Sequence, residues 1–374
     1  MKKILVVNIG TEIGGIEKSL IDFLKYLDTR KCQVDLLLWK PAGPLFMQIP
    51  KSVNVLERPG VGSIKEIYKI KAVKEKIKRI KAYLKYKKLE KKGQAWKALP
   101  IREKGYDIAI SYCQNGHSPY YVLDNVKALK KYMFYHHGTY EKNDKEYELD
   151  KVEYSRFNKI ITVSRANKKM LLNYFPELED KIEVIHNLID EKAIHEKAEE
   201  TVKCFKKQNE LKITTVGRLS AEKGQQFALQ VAVELKNKGI DFEWIFVGDG
   251  PEKENYIKYV KENELQEYCY FIGNRENPYP YIQQADIYVQ TSFVEADPIT
   301  IKEAKILNKK IIASNIPAIC EALEGVKSAE IVSLDVAAFV ENIETTFSNI
   351  NISCNEKIDI NEKSKELMDK LFEF

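Results

Sequence analysis

Asp286-Ile287-Tyr288-Val289-Gln290-Thr291-Ser292-Phe293-Val294-Glu295-Ala296-Asp297-Pro298-Ile299-Thr300-Ile301-Lys302-Glu303-Ala304 is the stretch whose reading decides the fold. Its first five residues are strand-like. The later ones read as a helix, with Asp297 as its N-cap and Pro298 at the first helical position, where a missing N–H leaves nothing unpaired. Strand, loop and helix make the repeating unit of an α/β sheet. The loop then lies at the carboxyl end of a strand, where open sheets of this kind bind ligands. Glu295 falls on that loop and Glu303 about a turn and a half into the helix. The amides of Ile299 and Thr300 are placed to bind an anion while the two carboxylates hold hydroxyls, which suits a sugar attached to a phosphate. A capped helix with two surface glutamates is the plain alternative for the stretch taken alone.

The same unit recurs on either side. Residues 4–9 form an apolar strand that runs into Gly10-Thr11-Glu12-Ile13-Gly14-Gly15-Ile16-Glu17-Lys18 and an amphipathic helix ending near Leu27. A glycine turn between strand and helix lets backbone approach a phosphate, although a tight turn alone would use the same glycines. The motif is neither GxGxxG nor a P-loop, which disfavours the classical dinucleotide and nucleoside triphosphate sites. Further strands are predicted at 34–39, 107–112, 131–135, 159–163 and 181–185. The fourth of these six runs, 131–135, ends in His136-His137-Gly138, a place from which a ring can meet a substrate hydroxyl; a structural histidine pair is the alternative. Residues 191–211 turn polar and carry no strand signal. A second series follows, with strands at 212–216, 244–247, 269–272, 286–290 and 310–314 and helices at 335–350 and 361–372. The expected architecture is α/β: two Rossmann-like, doubly wound domains, 1–190 and 191–374, with the final helix packing back on the first domain.

A chain of 374 residues is long enough for two such cores. No apolar run approaches the roughly 20 residues of a membrane span, and residues 1–10 read as a buried strand rather than a signal peptide. A cytoplasmic location is expected. The six cysteines show no CxxC pair and are read as reduced packing residues; the five histidines show no HExxH spacing, and no metal site is assigned. The net charge of +5 conceals an asymmetry: residues 65–104 hold sixteen Lys or Arg against four Glu, leaving the rest of the chain net acidic. Ile67, Ile70, Val73, Ile77, Ile80 and Leu84 recur there at helical spacing, which predicts one long basic amphipathic helix near 64–92. Three uses compete: a solvated face over a core-packing stripe, a helix on an anionic membrane surface, and nucleic-acid binding. No recognised module supports the third, and no nucleic-acid partner is assigned.

Four motifs in register, Gly14-Gly15-Ile16-Glu17, Gly217-Arg218-Leu219 with Glu222-Lys223-Gly224, Val247-Gly248-Asp249-Gly250-Pro251, and Glu295 with Glu303, resemble family 4 of the retaining glycosyltransferases. The resemblance covers nearly the whole chain, and residues 105–190 resemble bacterial members that build capsular and other surface polysaccharides. It implies the GT-B fold, two Rossmann-like domains facing across a cleft. It also implies transfer of a hexose-type sugar from a nucleoside diphosphate, UDP-linked by expectation, to a lipid-linked or surface-glycan acceptor, with no metal and no cofactor. Such an enzyme would work peripherally on the inner face of the cell membrane, through residues 65–104. By the same resemblance Arg218 and Lys223 meet the leaving phosphates, Gly15 lets backbone close on them, Glu303 binds ribose hydroxyls and Glu295 contacts the donor sugar. Gly14, Gly248, Gly273, Asn274, Ile299 and Thr300 complete the donor-binding set. The family's acceptor-side histidine maps to the His136-His137 pair: Gly138 favours His137, and counting along the strand favours His136. The chain departs from the family at Ala296-Asp297 and at Leu307-Asn308-Lys309-Lys310. If Asp297 caps Ile299 or Thr300 it competes for the amides assigned to phosphate, so a catalytically weak nucleotide-sugar-binding partner subunit is the alternative.

Overall fold

The computed structural model describes residues 1–30, 32–60, 64–206, 210–349 and 360–374. Seven parallel strands form the first sheet: β1 Lys3–Asn8, β2 Gln33–Leu38, β3 Asn54–Leu56, β4 Arg102–Ser111, β5 Val126–Tyr135, β6 Lys159–Thr162 and β7 Ile182–Val184, in the order β3-β2-β1-β4-β5-β6-β7. Six form the second: β8 Leu211–Val216, β9 Phe242–Val247, β10 Cys269–Phe271, β11 Ile287–Gln290, β12 Lys310–Ser314 and β13 Ala329–Val332, in the order β10-β9-β8-β11-β12-β13. Strand order reverses between β1 and β4 and again between β8 and β11. At such a reversal two loops leave the sheet in opposite directions and open a crevice at the carboxyl ends of the strands.

Helices cover both faces of each sheet, which is why the strands read as continuous apolar runs rather than alternating ones. Leu5, Val7, Met133 and Tyr135 point to one core of the first sheet, while Ile4, Val6, Tyr132 and Phe134 point to the other. The second sheet divides in the same way, with Ile213 and Val289 on one side and Tyr288 and Ile311 on the other. These are two Rossmann-like domains of the GT-B arrangement. The Glu362–Phe372 helix belongs spatially to the first of them: Met368 and Phe372 are buried with Phe23 and Phe134. Arg30 holds Asp369 through two bonds of 2.6 Å, and the Tyr26 hydroxyl donates to the same carboxylate at 2.6 Å.

The basic segment differs from its prediction. Two helices, Ile64–Lys69 and Val73–Glu90, replace the single one, with Ala72 in extended conformation between them. Ile67 is buried, but Val73, Ile77, Ile80 and Leu84 are 69, 49, 40 and 61 % exposed. The stripe does not reach the core because Trp96, Leu99 and Tyr121 already cover that side of the sheet, leaving room for the partly buried Tyr86. β4 and β5 also begin earlier than expected, and a register irregularity between Arg102 and Tyr106 joins their first pair to the rest. Cys113 and Cys269 are buried and Cys32, Cys204 and Cys320 half-buried, all as free thiols; Cys354 lies outside the described residues.

Candidate active site between the two switch points

The loops after β8 and β11 are stitched together by backbone. Gly224 has φ +68°, and a Cβ there would lie 2.0 Å from the Thr291 carbonyl oxygen, so this position takes glycine on both counts. The Phe293 amide donates to the Glu222 carbonyl at 2.9 Å. This approach brings Lys223 Nζ to 2.7 Å from Glu295 Oε1. The same oxygen accepts from Gln290 Nε2 at 2.7 Å and from Ser292 Oγ at 2.8 Å. Glu295 is thus a buried carboxylate fixed by three donors. Gly248, with φ +149°, presses against the Gly217 carbonyl, and its amide donates to the Gly273 carbonyl at 3.0 Å. The loops after β8, β9 and β10 therefore share one edge of the crevice. Arg218 and Asn274 stand exposed on that edge.

Glu303 is 1 % exposed on the Ile299–Ile306 helix. Its Oε1 accepts from Lys18 Nζ of the first domain at 2.9 Å and from the Tyr279 hydroxyl at 3.1 Å, while Oε2 is buried without a hydrogen bond. Lys18 sits one turn into the Gly15–Thr29 helix, which follows β1. Gly14, in extended conformation, is the N-cap of that helix, and a Cβ on Gly15 would lie 3.7 Å from Ile299 Cδ1. The two switch points thus face each other directly. A cavity of about 40 Å³ remains between them, lined by Lys18, Asp22, Tyr279, Ile299 and Glu303 among others. That is room for one or two waters.

Asp297 departs from its expected role. Pro298, not Asp297, is the N-cap of the Ile299–Ile306 helix, and no side chain caps it. Asp297 instead points away, accepting from the Asn187 amide at 3.0 Å, Asn187 Nδ2 at 2.9 Å and Lys302 Nζ at 2.6 Å. A buried carboxylate gains more from a buried ammonium than from neutral amides, which is why the cap is not made. Burial alone would raise its pKa, but Lys302, with His186 nearby, outweighs that and holds it down at about 2. Among the described residues nothing accepts from the Ile299 and Thr300 amides, so the competition expected of Asp297 does not arise.

The histidine pair divides. His136 is buried, its ring 5.8 Å from Phe134 and 5.0 Å from Tyr112, and its amide donates to Gln114 Oε1. Burial lowers its pKa to about 3, and its Nε2 has no partner. His137 is exposed, with Nε2 3.1 Å from Asn115 Nδ2, and its carbonyl accepts from Asn167 Nδ2. Their loop reaches the other domain, since a Cβ on Gly138 would lie 2.6 Å from the Glu295 carbonyl oxygen. Ser164 Oγ ties the same loop by donating to the Ala296 carbonyl.

Sequence reasoning left several contributors unassigned, among them Lys18, Tyr279, Asn187, Lys302, Gln290 and Ser292. Lys302 carried a signal, a charge set among the apolar positions of a short helix. Lys18 and Tyr279 carried none, because each acquires its partner from an element far away in sequence.

Two family models match the chain in succession, one described as Glycosyltransferase Family 4 over residues 13–193 and one as Glycosyl transferases group 1 over residues 196–364. A Campylobacter jejuni protein named N-acetylgalactosamine-N,N'-diacetylbacillosaminyl-diphospho-undecaprenol 4-alpha-N-acetylgalactosaminyltransferase is 28% identical over 142 residues, 38% of this chain and 37% of that protein. The chain spans less than half the length of the curated relatives it matches. Among solved structures, a glycosyltransferase from Rickettsia africae aligns with a TM-score of 0.67 at 19% identity, covering 98% of this chain and 92% of that one. The Anabaena protein Alr3699/HepE, solved in complex with UDP, aligns with a TM-score of 0.66 at 16% identity, covering 99% and 95%.

Proposed function

Since the chain belongs to the glycosyltransferases, with a family 4 domain followed by a group 1 domain, we propose that it moves a hexose-type sugar from a nucleoside diphosphate to a lipid-linked surface glycan, retaining the anomeric configuration and using no metal. The bond from the anomeric carbon to the β-phosphate oxygen breaks. A bond from that carbon to an acceptor hydroxyl oxygen forms on the same face, and the hydroxyl proton passes to the leaving phosphate. Negative charge grows on that phosphate as the first bond breaks, so preorganised positive groups accelerate the step. Arg218, Lys223 and the Ile299 and Thr300 amides take that role. Glu303 receives ribose hydroxyls, and Glu295 holds Lys223 beside the sugar.

One observation carries the reading. Two buried carboxylates eight residues apart, Glu295 and Glu303, each face a lysine at the meeting of two switch points. The printed name of the Campylobacter relative supports a diphospho-undecaprenol-linked acceptor, and the UDP held by the Anabaena protein supports a uridine donor. The exposed apolar residues of the lysine-rich Val73–Glu90 helix support docking on an anionic membrane face, where such an acceptor is found. The test is incubation of the purified protein with a panel of nucleotide sugars and a lipid-diphosphate glycan acceptor in EDTA. One donor should release nucleoside diphosphate and yield an α-linked product. Turnover that needs added magnesium would remove the metal-independent mechanism, and release without glycan product would remove the transfer.

A further inference from the structure

Lys18 belongs to the first domain, yet its ammonium lies on the carboxylate of Glu303 in the second, with both side chains largely buried. Glu303 Oε1 already carries Lys18 and Tyr279. Oε2 is sealed from solvent with no partner. The cavity beside them, about 40 Å³, is far too small for a nucleoside. Room for a diol at Glu303 therefore requires Lys18, which lines the cavity, to move aside. The direction in which it leaves is set by what borders the same cavity: Ile299, whose amide opens the Ile299–Ile306 helix and whose side chain lies against Gly15, one turn before Lys18. A diphosphate at that helix start offers the displaced ammonium a new anion within the sweep of one side chain.

We propose that Lys18 exchanges partners when a nucleoside diphosphate binds, giving up Glu303 to the ribose hydroxyls and taking the diphosphate as its counter-ion. This rests on the glycosyltransferase reading of Glu303. The exchange moves the cation rather than removing it: the buried carboxylate trades an ammonium for two hydroxyl donors, and the diphosphate gains a cation from the amino-terminal domain. It also makes the phosphate, rather than the nucleoside, the part of the donor that draws the first domain into the site.

The test compares UDP with uridine, or the matching pair for whichever of UDP, GDP, ADP and CDP the wild-type protein binds, by ligand-observed NMR titration, which reads millimolar affinities. In Lys18→Met the nucleoside should bind several-fold more tightly, because no ammonium has to be displaced, while the diphosphate binds more weakly, so that the ratio of the two Kd values falls about tenfold. Lys18→Gln keeps a donor to Glu303 and serves if the methionine variant does not fold; its ratio should fall likewise. Glu303→Gln keeps the ammonium and should leave the ratio unchanged. Equal movement of both Kd values in the Lys18 variants, or no movement, would overturn the exchange while leaving the donor site standing. A wild-type protein that binds none of the four diphosphates would overturn the donor site itself, and the exchange with it.

Discussion

Asp297 joins the sugar-side loop to the segment that crosses between the domains, through Asn187 on one side and Lys302 on the other. Asp297 and Lys302 are 9 and 5 % exposed, so removing one partner strands a buried charge. Asp297→Ala should cost about 3–5 kcal/mol in chemical denaturation, whereas Asp297→Leu with Lys302→Met should recover most of it, because an apolar pair of similar volume needs no desolvation. The pH dependence has a definite sign. The folded pKa, about 2, lies below the ordinary carboxylate value of about 4. This pair therefore stabilises the fold fully above pH 4 and loses its contribution as pH falls toward 2. A Tm profile of the double variant should lack that part of the acid loss. Lys223 calls for a different measurement, since its partner Glu295 keeps Gln290 and Ser292 when the ammonium is removed. Lys223→Ala and Arg218→Ala should each lower kcat by about a hundredfold or more with the fold intact; wild-type turnover in either would take that residue out of the phosphate site. Residue type and spacing marked Glu295 and Glu303 only as candidates, and it was the neighbouring motifs with their family resemblance that favoured a site over a plainly capped helix. The direction in which Asp297 turns was not readable, because its partners lie 110 positions back and one helical turn ahead, and a local rule for N-caps sees neither.

Among the elements, the alternation of strands with helices was legible for eleven of the thirteen strands, whose central residues are apolar because helices cover both faces, while the short edge strands β3 and β13 carried no such signal. β11 and β12 fall within a residue of their expected limits. The Val73–Glu90 helix shows where periodicity stops being informative. A stripe at three- and four-residue steps says that one face is apolar, not what covers it. Here Trp96 and Leu99, from a short turn just downstream, have taken the place the stripe was expected to fill. The helix consequently presents exposed Val73, Ile77, Ile80 and Leu84 amid lysines, with Arg79 and Glu75 paired at 3.1 Å on its surface. Burying such residues in a lipid interface gains about 25 cal/mol per Å², and each nearby lysine adds about 1 kcal/mol on anionic lipid. Liposome flotation should therefore recover the protein on acidic vesicles far better than on neutral ones. Ile77→Glu with Ile80→Glu should abolish recovery without lowering Tm, as neither side chain is in the core. Equal recovery on both vesicle types would exclude an electrostatic role for the lysines.

At the scale of the whole molecule, each domain places its switch point opposite the other's, and polar contacts tie the two: Lys18 with Glu303, Asn187 with Asp297, Ser164 with Ala296, Gly138 against Glu295, and the Arg165 and Ala166 amides on the Glu321 carboxylate. Arg165 adds a bridge to Glu324 at the rim. Closure of the cleft is thus specified by short polar contacts rather than by a broad apolar interface, which suits domains that have to part for a donor. The Glu362–Phe372 helix works in the opposite sense, since its apolar side is a permanent part of the first core. Phe372→Ala should cost about 3–5 kcal/mol and lower the stability of the first domain, read as loss of hydrogen-exchange protection in β1 and β5. Loss confined to the second domain would contradict the placement. The same helix has a consequence for synthesis. Domains generally fold as units in the order the ribosome delivers them. The first sheet is made early, yet the side chains that seal one of its faces, Met368 and Phe372, emerge only after the second domain has been translated in full. The amino-terminal half therefore keeps an open apolar face throughout synthesis of the second domain.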